Sequence, residues 1–447
     1  MHNEIVLPEE SANARVVRRL WKISLGVWIF ILTMVVGNFF IPTDKAVTAQ
    51  MLGHDFLPFY FAGTCARTGQ FDKLYDLDAT REIEHKIGYA ANLNLGTAVG
   101  PWWNPPFAAW LFAPFSALSY TGGLRCWWVF GFICLVTSLF LLCRMLQGGW
   151  KAKLLVPMYM LTSMPFFQAF SHGQNTFFSL LLLTVTVTLW RANQAFIAGL
   201  VCGLLFYKPQ LGAVAAIVLS LSQGRRALLG VAITGSLLLA INVITLPGTL
   251  HEFLVHMPRN LNWMQEENNY RWERHVTFKG FWRLMIQGWA TGPTSLMVKA
   301  IWAICEIALL SGLGAVVWKT LRQSPSPSRT DRLISVAIVS MPLLMPFYFD
   351  YDLLLVSIGV VVYAADRQRT AHLSQISMED RWLVRVWVIL FITLEFGAMI
   401  AGHTRVHPVV PLVSIIAVLL IRRALKDDRQ TESATIASPA SPVALAA

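Results

Sequence analysis

Ala227-Leu228-Leu229-Gly230-Val231-Ala232-Ile233-Thr234-Gly235-Ser236-Leu237-Leu238-Leu239-Ala240-Ile241-Asn242-Val243-Ile244-Thr245-Leu246 contains no Asp, Glu, Lys or Arg. It is entered through Arg225-Arg226 and left through Pro247-Gly248. As a helix such a run is about 30 Å long, the thickness of a bilayer's hydrocarbon core. Further long apolar runs occur at 23–41, 124–146, 295–317 and 383–401. The composition agrees. Of 447 residues, 55% are hydrophobic and 14% charged, against about 25% charged in soluble domains. The reading is an all-α, polytopic membrane protein with about 10–12 transmembrane helices. The net charge of +11 comes from basic residues beside the apolar runs, so the positive-inside rule accounts for it and no nucleic-acid partner is expected. The six cysteines include no Cys-x-x-Cys, which argues against both a disulfide frame and a zinc site. Of them, Cys65 alone falls in an expected exposed loop.

Residues 1–22 are polar, end in a basic cluster and read as a cytoplasmic N-terminus. The apolar run that follows is a retained signal anchor or, as the alternative, a cleaved signal peptide. Its length, with no small-residue cleavage site after it, favours the anchor. A membrane domain then occupies 23–421, with two large extracytoplasmic loops at 43–103 and 247–292. Residues 422–447 are rich in Ser, Thr, Ala and Pro and read as a disordered cytoplasmic tail. In the first loop a helix is expected over 78–89 with Asp78 as its N-cap.

Two segments leave the orientation open. If 107–118 and 196–221 each cross once, Lys151, Lys153 and Arg191 fall outside. If the first is re-entrant and the second is two short helices broken at Pro209, those cations fall inside. The second reading obeys the charge rule and explains a lysine, Lys208, within an apolar segment.

The side chains able to do chemistry gather on the outer side. Asp55, in Gly53-His54-Asp55-Phe56-Leu57-Pro58-Phe59-Tyr60, stands just outside a membrane helix beside an aromatic run. It is either a helix cap or a general base, which needs only an ionised carboxylate within reach of an acceptor hydroxyl. Lys208, at a proline break, either snorkels to the interface or meets an anionic phosphate. Arg271, Arg274 and His275 in the second loop either solvate it or bind the same phosphate. His172 and Gln174 form a plain turn or line a cavity. Asp350 and Asp352 form an interfacial turn or face a watery cavity, since a carboxylate facing lipid at mid-membrane costs roughly 2.5–3.5 kcal/mol. No Gly-x-x-x-x-Gly-Lys loop, His-Glu-x-x-His or nucleophile-elbow serine is present, so a cytosolic nucleotide-using enzyme is unsupported.

Five stretches in order carry a resemblance. His54-Asp55-Phe56 through Tyr60, with Gly69 and Leu74-Tyr75-Asp76, is similar to the first outer loop of glycosyltransferase family 87. Asn104-Pro105-Pro106-Phe107 followed by Ala113-Pro114, Gly173-Gln174-Asn175, Gly199 to Lys208, and Phe349-Asp350-Tyr351-Asp352-Leu353 resemble its later motifs. The resemblance spans roughly 20–420. It implies a GT-C membrane fold and an inverting transfer of a hexose, mannose in characterised members. The donor would be a polyprenyl-phosphate sugar, used on the extracytoplasmic side of the inner (plasma) membrane. Asp55 would be the catalytic base. A glycosyl phosphate has its own leaving group, so the site needs a base and positive charge for the departing phosphate. Lys208, Arg271, Arg274 and His275 are the candidates for the phosphate. His54, Tyr60, Asn104, His172, Gln174, Asp350 and Asp352 are the candidates for lining the cavity and binding an acceptor, whether glycan, glycolipid or other. No cofactor and no metal site are expected, although the acidic outer loops leave a divalent ion open. The competing reading is a transporter or flippase of a lipid-linked or polar solute, with Lys208 and Asp352 on the substrate path.

Overall fold

The computed structural model describes residues 12–38, 40, 52–93, 95, 99–268, 270–370 and 377–426. The start of the expected N-terminal segment (1–11), the entry to the first outer loop (41–51) and the expected disordered tail from 427 onward lie outside the described residues. The protein is all-α. Among the described residues the only β pairing is one antiparallel bridge between His275 and Phe349.

Three of the described helices are each long and apolar enough to cross a membrane: Tyr120–Met145, Arg225–Thr245 and Leu296–Arg322. Met378–Leu394 and Gly397–Thr404 together make a fourth, bent by 73°. Thr176–Arg191, Ala195–Tyr207 and Pro209–Gln223 are apolar but shorter. Against the 10–12 spans expected, three described helices, or four with the bent pair, meet this length and hydropathy. The 107–118 segment is a 3-10 turn followed by the short helix Ala109–Ser116. The 196–221 segment is interrupted at Lys208, which caps the helix Pro209–Gln223. Serine side chains start several long helices by accepting a backbone N–H, as Ser119, Ser295 and Ser377 do. The last helix, Val409–Leu425, runs past the expected boundary at 421.

The chain divides into two compact units. The first comprises residues 1–184 and 239–260. In it the helix Leu57–Thr68 packs against Ala109–Ser116 so closely that a Cβ at Gly63 would lie 2.5 Å from the Phe112 carbonyl oxygen. Phe56, Phe59, Phe112, Phe115 and Trp127 form a continuous aromatic core beneath it. The loop helix is Leu77–Ala90, and its cap is Asp76 rather than Asp78. The Asp76 carboxylate accepts the N–H groups of Asp78 and Ala79. Cys65, expected in an exposed loop, is buried on the inner face of Leu57–Thr68.

The second unit comprises 185–238 and 261–447. Here Ala195–Leu204 crosses the start of Arg225–Thr245 through small residues. A Cβ at Gly199 would collide with the Ala227 carbonyl, and one at Gly230 with the Phe196 carbonyl. The Thr234 hydroxyl donates to the Leu200 carbonyl across the same seam at 2.9 Å. Close backbone approach through small residues is how apolar helices gain contact where lipid supplies no hydrophobic drive.

Gly199→Ala is expected to destabilise the protein by about 1–3 kcal/mol, because backbone rather than a flexible side chain must move. Gly314→Ala, in the interior of Leu296–Arg322 with open space at its Cβ position, serves as the neutral control. Thermal melting in detergent checks both, and equal melting of the two variants would refute the tight seam.

Candidate functional site

The first unit brings Asp55 together with His172 and Gln174. Gly53 takes the left-handed conformation (φ 81°), which turns the chain into the 3-10 turn His54–Phe56 and sets Asp55 at its middle. The facing turn ends the helix Met164–His172, with Gly173 at φ 71° as its cap. The two turns touch through backbone. The Gly53 N–H donates to the Ser171 carbonyl at 2.6 Å. A Cβ at Gly173 would stand 3.3 Å from the Gly53 Cα and 3.2 Å from the Phe56 Cβ. Two aromatic donors pin this contact. The Tyr120 hydroxyl donates to the Gly53 carbonyl at 2.8 Å, and the Trp127 indole to the Gly173 carbonyl at 2.9 Å.

As a result, one oxygen of Asp55, Oδ2, meets the Gln174 amide nitrogen at 2.7 Å and the His172 Nδ1 at 3.0 Å. The Asp55 side chain remains 39% exposed and that of His172 32%. The carboxylate is thus held in orientation and still reachable. The other candidates of this unit do not join it. The Tyr60 hydroxyl donates to the Leu118 carbonyl at 2.7 Å. Asn104 is buried, with its carbonyl accepting the Tyr75 hydroxyl. His54 is exposed.

In the second unit the candidates form two ion pairs. Lys208 Nζ lies 3.1 and 3.0 Å from the two carboxylate oxygens of Asp352. Arg274 reaches Asp350 with Nη2 at 2.9 Å and Nε at 3.3 Å. The aspartates are two residues apart in the 3-10 turn Asp350–Leu355, which the Tyr348 hydroxyl braces by donating to the Asp352 carbonyl. Arg271 stands apart, 77% exposed and paired with Glu273. His275 is buried against Phe349, with ring centroids 4.3 Å apart. Among the described residues no three His, Cys, Asp or Glu side chains are placed to hold a metal ion.

Sequence reading missed Glu84 and the function of Arg283. Glu84 is buried, with Oε2 accepting the Gly100 N–H at 2.8 Å. Arg283 is buried and donates to the carbonyls of Gly288, Ala290 and Gly292, closing the turn after Phe278–Gln287. No local signal distinguishes either from an ordinary surface charge on a helix.

Burial moves three loop groups away from their ordinary titration. His275 is held down to about 3, by burial first and then by Lys279, Arg274 and His407. Burial likewise lowers His407 to about 4, against the pull of Asp350. Burial raises Glu84 to about 8, against the Gly100 N–H. An unfolded histidine takes its proton near pH 6.5, so the folded state binds fewer protons below that pH. The histidines' contribution to stability is whole above about pH 6.5 and is lost as pH falls toward 4. Glu84 has the opposite sign. Its contribution is whole below about pH 4.5 and is lost as pH rises toward 8. Melting temperatures measured from pH 4 to 8.5 are expected to fall at both ends. His275→Phe should flatten the acid limb and Glu84→Gln the alkaline limb; a limb left unchanged by its variant would contradict that assignment.

Residues 102–346, more than half of the chain, match glycosyltransferase family 87. The matched stretch includes His172, Gln174, Lys208 and Arg274; it begins after Asp55 and ends before Asp350. No curated protein and no solved structure matches the chain. Helices that cross and break as a membrane enzyme requires, with a reachable carboxylate held by two side chains from within the matched stretch, agree with that finding: the chain belongs to glycosyltransferase family 87.

Proposed function

We propose that this membrane glycosyltransferase moves a hexose, mannose in the first instance, from a polyprenyl-phosphate donor to an extracytoplasmic acceptor hydroxyl with inversion. The assigned place is the inner (plasma) membrane. The observation that carries the reading is the Asp55 carboxylate, accessible and steered by His172 and Gln174 through a single oxygen. Asp55 takes the proton from the acceptor hydroxyl as that oxygen attacks the anomeric carbon from the face opposite the phosphate. The bond from the anomeric carbon to the phosphate oxygen breaks, and its electron pair leaves with the polyprenyl phosphate. One glycosidic bond is made and one is broken, the configuration inverts, and one proton rests on Asp55. Gln174 and His172 are positioning residues, since they touch the base. The leaving phosphate calls for positive charge; within the second unit, Lys208 and Arg274 are proposed as an anion site of that kind.

Purified protein in nanodiscs, supplied with radiolabelled polyprenyl-phosphate mannose and a membrane-lipid extract as acceptor, tests the reading. Asp55→Asn should lower transfer by roughly 10²–10⁴-fold, the usual contribution of a general base, while the protein still inserts and melts normally. His172→Ala and Gln174→Ala should each lower it by about tenfold to a hundredfold through misplacement of the base. Wild-type rates in Asp55→Asn would remove Asp55 from the chemistry. Label left on the donor by the wild type as well would redirect the reading to another donor sugar.

A further inference from the structure

Two of the residues nominated for a phosphate turn out to be partners of two nominated for an acceptor. Lys208 is held by Asp352 and Arg274 by Asp350, the aspartates of one short turn. All four side chains are largely buried, from 10% exposed for Asp350 to 23% for Arg274. The Arg274 guanidinium also lies over the rings of Phe349 and Tyr351, at 5.9 and 5.7 Å, and those rings stack on each other. The arrangement is built. The turn is braced by Tyr348, and the Tyr351 N–H donates to Asp350 Oδ1 at 3.0 Å.

We propose that Asp350 and Asp352 are resident counter-ions of a two-cation anion site, and that they keep its affinity for a phosphate ester low enough for the departing lipid phosphate to leave. The proposal rests on the donor reading above and assigns the aspartates to the phosphate rather than to the acceptor. A buried ammonium and guanidinium without partners would carry a heavy desolvation cost whenever no anion is bound. Paired as they are, the two cations are each opposed by a carboxylate. An arriving phosphate must compete with two carboxylates for the same N–H donors, so it gains only the difference between the two partners. Two unopposed cations would instead hold a phosphate monoester tightly, and release of the product often limits such a cycle.

The sign of the expected effect sets this role apart from simple structural support. Neutralising an aspartate should strengthen anion binding; a structural role would weaken it or leave it unchanged. The full-length protein in detergent is titrated with farnesyl phosphate, and with farnesol as the uncharged control, reading both affinity and melting temperature. Asp352→Asn and Asp350→Asn are each expected to bind farnesyl phosphate at least about fivefold more tightly than wild type, the lower end of ordinary coupling between neighbouring sites, with farnesol unchanged. Lys208→Gln should weaken farnesyl phosphate binding. In the transfer assay Asp352→Asn should lower KM and kcat together. If either Asn variant melts below wild type, farnesyl phosphate is expected to restore more of its melting temperature than farnesol does; equal restoration by the two overturns the proposal. Unchanged or weaker farnesyl phosphate binding in both Asn variants also overturns it. Absence of sugar transfer by the wild type would sink the donor reading alone, because the farnesyl phosphate titration decides the anion site without any transfer.

Discussion

In a bilayer a backbone amide has no water to turn to, so every break in a helix must be closed by the protein itself. Several of the candidate side chains of this chain sit at such breaks. At the first, the N–H groups of Gly173 and Gln174 return to the carbonyls of Phe170 and Ala169, and Gly53 donates across to Ser171. At the second, Lys208 donates its N–H to Leu205, while its own carbonyl accepts Leu211 and Gly212. At both breaks the amides named here find carbonyls within the protein. His172 and Gln174 can then both point at Asp55, and Lys208 at Asp352. Glycine is required at the first break because the left-handed turn and the close approach both forbid a Cβ.

A second set of buried charges shows what purely structural ion pairing looks like here. Asp331, Asp366 and Asp380 are each shared by two arginines: Arg191 and Arg369, Arg332 and Arg423, and Arg367 and Arg423 respectively. Tyr363 adds a hydrogen bond to Asp380. The network ties Pro327–Leu344, Val356–Thr370, Met378–Leu394 and Val409–Leu425 together. Removing Asp331 would take this partner from both Arg191 and Arg369, a loss on the order of 3–5 kcal/mol. The pairs at Asp350 and Asp352 differ in kind. Asp352 holds Lys208 and Asp350 holds Arg274, and both aspartates sit in a single short turn.

How much of this was legible depended on distance along the chain. The interruption at Lys208-Pro209 could be read locally, since a lysine and a proline inside an apolar run leave few alternatives. Asp55 could be singled out from its neighbours. His172 and Gln174 could be named as candidates but not as its partners, because they lie 117 and 119 residues away and nothing in a single sequence records that pairing. The same holds for Lys208 and Asp352, 144 residues apart, which appeared as members of two different groups of candidates. Local errors had local causes. Asp76 and Asp78 are both good caps, and only the chain's entry angle decides that Asp76 accepts the free amides. Cys65 was expected outside because its loop is polar, yet it lies on the inward stripe of an amphipathic helix. The number of full spans was hard to count because short apolar helices that stop at a break look, in composition, like spans that cross.

The match to family 87 begins at residue 102 and therefore does not itself reach Asp55. The His172 ring and the Gln174 amide that meet Asp55 Oδ2, and the Ser171 carbonyl that accepts the Gly53 N–H, all lie within the matched stretch. Partial exposure of the Asp55 carboxylate separates it from the fully enclosed aspartates at 331, 366 and 380. The partners of Asp55 in that stretch are an imidazole and an amide, whereas arginines hold those three aspartates.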